Sequence, residues 1–564
     1  MSSPVRDRLF RGYGPLIGFA VAFLVIALVV PSQQREVRVE SSASRSAGSG
    51  AGGDEELVGT DTTLPTDTSA VDPAATQDGT GGGGPAGGGG AGKTGGARGA
   101  GPNSGPPVIA GCGPSQVPGD PYSPVCVKFA GNNGGDTSRG VTATEITVTA
   151  RVGGLTSGLV DALSKQASSK VPDEPPEVVK RTIEGLVEFF NKRFQFYGRK
   201  IKLVMFDGKG NPLTELTGGG QEGAQADAIT VAQDTGAFAE MAAISIPYAD
   251  ALSAKQVVNV GAPYASREWM SQHRPYAWSQ FIDCSSAVES VTSYYATKLA
   301  GGAAALAGGD LKGLPRATAI VSPENSWYQE CVQSGIAQLQ RAGKAGDLKL
   351  PGEKYKIDIN TMSTQADTLV RKLKANGITT VVCGCDPLLL TFMTSAAQQQ
   401  GYTPEWVISG VAFVDNDLIG QILDQGQWSR AFGVSYSGPT QPAQASLGYR
   451  AYKSVRKDEP TIGVDLIYNQ LYMLAIGIQG AGPNLTPQTF EKGMFDYPAH
   501  TGPYGTWKYG PNDYTSSDDA REIFYDPNGV SPYNREKGVY RNPNGDARFP
   551  IGQWNPNPPR SAAG

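Results

Sequence analysis

The stretch STQADTLVRKLKANGITTVVCGCDPLLLTFMTSAAQQQGYTPEWVISG, residues 363–410, changes its apolar period at each internal boundary. In STQADTLVRKLKANG the apolar side chains recur at helical spacing, with Ser363 placed to cap the start and Gly377 to end it. ITTVVC is a short run of β-branched residues, the composition of a strand. DPLLLTFMTSAAQQQG returns to helical spacing, with Asp386 at the cap and Pro387 at the first helical position, where a missing N–H costs nothing. EWVISG is strand again. Strands alternating with helices of about 10–15 residues imply right-handed βαβ units and a parallel sheet with helices on both faces.

The same alternation extends upstream. ATAIVS (317–322) reads as a strand, SWYQECVQSGIAQLQRAGK (326–344) as a helix stacking Trp327, Cys331, Val332, Ile336 and Leu339, and KYKIDIN (354–360) as the next strand. An earlier series starts at EITVTAR (145–151). It continues with EVVKRTIEGLVEFFNKR, whose Val179, Ile183, Leu186, Val187 and Phe190 share one helical face, and with KIKLVMFD (200–207). A polar helix over 220–234, an apolar run at 237–246 and QVVNVGAP (256–263) complete it. The two series, 145–283 and 317–435, are too long for one sheet and predict two lobes. GVDLIYNQLYMLAIGIQGAG (463–482) follows as a long amphipathic helix, and the tail from about 500 is aromatic, rich in Pro and Gly, and reads as irregular.

The N-terminal fifth has a different character. Residues 12–34 carry no charge and follow Arg6, Arg8 and Arg11. About 20 apolar residues span a bilayer, and flanking positive charge keeps its side cytoplasmic. A retained transmembrane anchor is expected, with 1–11 in the cytoplasm and the rest of the chain outside. A cleaved signal peptide would need a shorter apolar core and a small-residue cleavage site, and no A-x-A follows. Residues 35–111, rich in Gly, Ser and Pro, bury too little to offset their ordering entropy and read as a disordered linker, a tether spanning roughly 50 Å. Inside it GGGGAGKT (87–94) fits the P-loop pattern, but no strand precedes it and GGARGAGPNSGPPV cannot form the helix that a phosphate needs.

Composition excludes much chemistry. The formal net charge is −5 and no Lys/Arg block is interleaved with aromatics, so nucleic acid is not a partner. Only His273 and His500 occur, which argues against His-centred catalysis and metal sites; there is no G-x-S-x-G and no H-E-x-x-H. An enzyme is not expected, nor a cofactor. Cys112 and Cys126 are close enough to staple the leading segment 112–140, worth about 3 kcal/mol. Cys284, Cys331, Cys383 and Cys385 allow several pairings, and CGCD lacks the second ligand pair that a zinc site takes.

Taken in order, RKLKANGITTVV, SAAQQQGYTPEW and IYNQLYMLAIGIQGAGPNLTPQTFEKGM (467–494) resemble the type I periplasmic binding proteins, most closely the leucine-binding-protein-like receptors for branched-chain amino acids and amides of ABC transporters. The resemblance covers about 140 to 545. It implies an α/β fold of two Rossmann-like lobes with parallel sheets joined by a hinge: lobe 1 from 141–283 and 445–564, lobe 2 from 284–444. It also implies a small solute, an amino acid or related compound, clamped between the lobes and passed to an ABC permease. A surface sensor or interaction module on the same fold is the alternative.

By the same resemblance, Leu155 and Thr156 lie in the loop after the first strand. Ser245 and Tyr248, then Ala262 and Tyr264, match the two loops that hold a ligand carboxylate. Trp327 matches a stacking aromatic of the second lobe, and Cys385 with Asp386 another cleft turn. General physics points to the same loops, since ligands of open parallel sheets sit at the carboxyl ends of strands. The loop after EWVISG departs from the amino-acid receptors: SGVAFVD is apolar until Asp415, where they hold an ammonium with an acid. A less polar or aromatic solute fits Tyr248, Tyr264 and Trp327 better.

Overall fold

EITVTAR forms β1 (Glu145–Arg151), which is buried on both faces from Val148 onward, as an interior strand of a parallel sheet must be. The computed structural model describes residues 114–152, 175–545 and 547–563. Contacts divide the chain into Met1–Ala97 and Arg98–Gly564. The anchor expected at 12–34, the linker, Cys112, Leu155 and Thr156 lie outside the described residues. Among the described residues, no helix is long and apolar enough to cross a membrane.

β1 pairs in parallel with β2 (Lys200–Phe206) and β3 (Ala239–Glu240), and the sheet continues through β4 (Val258–Val260) to β5 (Ala277–Trp278) in the order β2-β1-β3-β4-β5. The helix Pro176–Arg193 buries Ile183, Leu186, Val187 and Phe190, the face read from sequence. Its ring Phe190 meets Tyr468 at 5.4 Å and Tyr472 at 5.6 Å, both on the returning helix Val464–Gly480. Truncating such a ring costs about 3–5 kcal/mol, so the late helix is integral to the first lobe's core.

The second lobe is built on β6 (Thr318–Pro323), β7 (Leu348–Tyr355), β8 (Thr380–Cys383), β9 (Glu405–Ile408) and β10 (Ala431–Ser435), all parallel. The tail holds a small hairpin of β11 (His500–Gly502) and β12 (Gly505–Trp507), followed by β13 (Asp519–Val530), β14 (Lys537–Arg541) and β15 (Phe549–Pro550). β13 runs antiparallel to β10, so the second sheet reads β14-β13-β10-β9-β8-β6-β7, with β15 on β13.

Three expectations change here. The tail is not irregular, and from Asp519 it belongs to the second sheet rather than to lobe 1, because its backbone completes the open edge of β10. The strand expected at 354–360 lies upstream as β7. This is an edge strand, which tolerates Pro351 and Gly352, and it frees 356–360 as a loop. The helix assigned to Ser363 starts at Met362 with Thr361 at its cap.

Cys284 pairs with Cys331 and Cys383 with Cys385. The first bridge ties the helix Cys284–Lys298 to Ser326–Arg341 across a separation of 47 residues, worth roughly 4 kcal/mol in the loop-entropy account. Cys126 is also disulfide-bonded.

The lobes are joined by segments that run side by side. Ser279 N–H donates to Tyr514 O at 3.1 Å, Ser516 Oγ to Gln280 O at 2.9 Å, and Arg521 Nε to Ser437 O at 3.0 Å. Two carboxyls share this hinge. Burial, followed by the charge of Asp518, pushes Asp513 up to about 8; burial chiefly pushes Asp518 up to about 6. Both exceed the ordinary carboxylate value of about 4. The native state therefore holds more protons than the unfolded chain between about pH 4 and 8, and stability falls as pH rises through that window. Asp513→Asn is expected to flatten this fall in a melting-temperature series from pH 5 to 9. An unchanged slope contradicts the assignment.

Candidate functional site

The carboxyl ends of both sheets face one cleft of about 660 Å³. From the first lobe it is lined by residues 212–214, Leu216 and Thr217, by Ile244 after β3, and by Pro263 and Tyr264 after β4. Residues 320–323 at the end of β6, 384–388 after β8 and 411–413 after β9 close it from the second lobe. Cys331 and Cys385 of the two disulfides stand in the same wall, together with the loop 356–360. The walls are mostly hydrocarbon. Among the described residues, the charged ones in the lining are Lys356, Asp358 and Asp386, of which Lys356 is exposed at the rim.

Asp386 is committed to structure. It caps the helix Pro387–Gln399 by accepting from Leu388 N–H at 2.8 Å and Leu389 N–H at 3.1 Å, and Tyr355 Oη donates to it at 2.5 Å. Burial raises its pKa in spite of these bonds.

Across the cleft Tyr264 reaches the other lobe. Its hydroxyl accepts from Ala412 N–H at 2.8 Å, its ring lies 5.7 Å from Phe281, and Phe281 lies 5.7 Å edge-on from Phe413. Tyr264, Ala412 and Phe413 have φ of 55°, 54° and 60°. Side chains of this kind rarely adopt that region, at a cost of about 1–3 kcal/mol each, and such strain concentrates at ligand clamps. Phe413 is 45% exposed, an apolar ring left open at the lip.

Behind the first lobe's wall lies a buried charge cluster. Arg151, the last residue of β1, donates through Nη1 and Nη2 to Glu215 at 2.8 and 2.7 Å, and through Nη1 to Asp227 at 3.0 Å. Its guanidinium stacks on Tyr248 at 3.8 Å. Ser245 Oγ donates to Glu215, and Tyr248 Oη donates to Glu240 at 3.3 Å. Burial raises the pKa of the Glu240 carboxyl, against N–H groups of Arg151 and Ala242 that lower it.

Tyr264, Cys385 and Asp386 therefore line the cleft as their loops suggested, whereas Ser245, Tyr248 and Ala262 are wholly buried behind it. Trp327 is half-buried and packs on the first lobe's core, with its ring over Gly218; its neighbour Tyr328 faces the cleft. Asp415 is buried outside the lining and accepts from Ser435 Oγ at 2.6 Å, so it is not placed to hold a ligand ammonium. Sequence reasoning did not single out Tyr328 or Phe413 within loops it placed at the cleft, and it missed Phe281, 212–217 and 356–360 altogether. The glycines flanking NPLTELT were the one available sign that residues 212–217 pack closely against something.

The sequence profile of the periplasmic binding proteins matches residues 179–521, more than half of the chain. The chain belongs to the periplasmic binding protein family. That family consists of binding proteins, not enzymes. No curated protein matches the sequence. Among solved structures, a solute-binding protein of an ABC transporter from R. palustris in complex with 4-hydroxybenzoate is 12% identical with a TM-score of 0.50, covering 73% of this chain and 98% of its own. A second, from Rhodopseudomonas palustris HaA2 with p-hydroxybenzoic acid, is 12% identical over 72% of this chain and 97% of its own, again at 0.50. A branched-chain amino acid transporter substrate-binding protein from Streptococcus pneumoniae, in complex with isoleucine, is 13% identical over 71% and 99%, at 0.47. At these identities the first two show a shared fold.

Phe413 and Trp327 separate binding from stability. Phe413→Ala should weaken ligand binding by about 1–3 kcal/mol and leave the unliganded melting temperature nearly unchanged. Trp327→Ala should instead lower the unliganded melting temperature, because its ring packs on a core. The reverse pattern in calorimetric melts and titrations would remove Phe413 from the site.

Proposed function

We propose that the chain is an extracytoplasmic solute receptor whose lobes close on a small, largely uncharged aromatic or aliphatic molecule. The observation that carries this is the cleft of about 660 Å³, which lies at the strand ends of both lobes and is lined mainly by hydrocarbon. Its size falls in the range of small-molecule sites, which bury most of an apolar ligand and orient it with a few polar groups. Burial at about 25 cal/mol per Å² then provides the affinity. An amino acid is a poor fit, because among the described residues of the lining no cation but Lys356, at the rim, is available to its carboxylate, and Asp415 is engaged with Ser435.

Family membership supports a role outside the cytoplasm and a permease of the ABC type as the recipient. In this reading residues 12–34 anchor the receptor to the plasma membrane as a single pass, and 35–111 let it range around its partner.

The test is a thermal-shift and native mass-spectrometry screen of neutral aromatic and aliphatic compounds against leucine, isoleucine and 4-hydroxybenzoate. One-to-one complexes with neutral compounds and none with the zwitterions or the benzoate are expected. A preference for the amino acids would contradict the reading.

A further inference from the structure

We propose that the first lobe contains a carboxylate-binding site that the chain fills with its own Glu215, and that this internal occupant sets the cleft's preference for uncharged solutes. The specificity half rests on the reading of the cleft given above; the site itself stands on geometry alone.

Without Glu215, the groups around it would make a receptor for a small carboxylate. Arg151 presents both terminal nitrogens, at 2.8 and 2.7 Å from the two carboxylate oxygens, the forked geometry that recognises this anion best. Ser245 adds a hydroxyl, and caps the nine-residue helix Ile246–Ala254, whose N-terminal end favours negative charge. The side chains of Arg151 and Glu215 are almost fully shielded from water.

The occupant arrives on a short strap. Glu215 sits in the five-residue helix Pro212–Leu216, and its neighbours Pro212, Leu213, Thr214 and Leu216 turn to the cleft. The chain before the strap is shaped to press on the ion pair. A Cβ on Gly210 would stand 2.3 Å from Glu215 Oε1, and one on Gly208 2.5 Å from Arg151 Cδ and Asp227 Oδ2. The same strap thus delivers an anion backward and a hydrocarbon face forward. A tethered carboxylate is present at an effective concentration on the order of millimolar or above, which excludes a free competitor. A ligand carboxylate entering the cleft meets apolar wall where it would otherwise have met the guanidinium.

Cavity rescue tests the site in the full-length chain. Glu215→Ala should melt roughly 5–10 °C below wild type, since the other members of a buried ion cluster lose a partner. Sodium acetate should restore at least about half of that loss, saturably, while sodium chloride at equal ionic strength should not. Glu215→Gln, whose amide still fills the space, should show no acetate-specific shift. If E215A is insoluble, its refolding yield in acetate against chloride reads the same quantity. No difference between the two salts for E215A, or an acetate-specific stabilisation of E215Q or wild type as large as that of E215A, overturns the site.

A separate titration judges the specificity. Wild type should bind 1-decanol at least about tenfold more tightly than decanoate, because Glu215 already occupies the Arg151 guanidinium that the ionised head would need. Equal or tighter decanoate binding overturns the specificity role while leaving solute binding intact. Binding of neither overturns the solute reading, and the acetate result then decides the Glu215 site by itself.

Discussion

The Arg151 guanidinium holds the first lobe's side of the cleft in place. Burying an ion costs several kcal/mol unless it is paired and hydrogen-bonded. Here that requirement gathers Glu215 from the strap, Asp227 from the helix Gln221–Ile229, and Tyr248 and Ser245 from the start of Ile246–Ala254 around the end of β1. Each of these segments is short or rich in glycine, and alone each would have many alternatives. With Glu215 held by both the Arg151 guanidinium and the Ser245 hydroxyl, the strap lies with its apolar residues toward the cleft. Removing Arg151 would leave Glu215 and Asp227 in the interior without their shared cation, which makes the arrangement cooperative.

The second lobe shapes its wall by different means. Disulfides stand where β8 ends and where the helix Cys284–Lys298 begins, so covalent bonds back the apolar surface. Left-handed backbone at Ala412 and Phe413 leaves one large ring at the lip, and Tyr264 from the first lobe accepts from the Ala412 N–H beside it. One wall is thus organised by a buried ion and the other by covalent and conformational constraint, and between them the cleft presents few free polar groups. Ligand affinity on such a surface depends on area removed from water and on shape, more than on ion pairing.

Much of the architecture was legible because alternation of periods is a local property. The helix Pro176–Arg193, β8, the Asp386 cap and Pro387 all read directly from neighbouring residues. What failed to read depended on partners distant in sequence. β13 contains Asp526, Pro527, Asn528 and Gly529, turn residues by any local rule, yet a bulge between Asp526 and Val530 opposite β14 accommodates them, beyond the stretch that pairs with β10. At the site, Tyr264 and Asp386 were found because they follow strand ends. Ser245 and Tyr248 follow a strand end too, but Glu215, 30 residues from Ser245, had already satisfied that loop. Composition cannot reveal that a binding group is occupied from within.

The central claim is that a solute bridges both lobes, and amide hydrogen exchange on the full chain, with and without the tightest ligand found by screening, tests it most directly. The account predicts added protection on 212–217 and 263–264 of the first lobe together with 384–388 and 411–413 of the second, and little change in the core helix Val464–Gly480. Protection confined to one lobe, or appearing away from these loops, would contradict it.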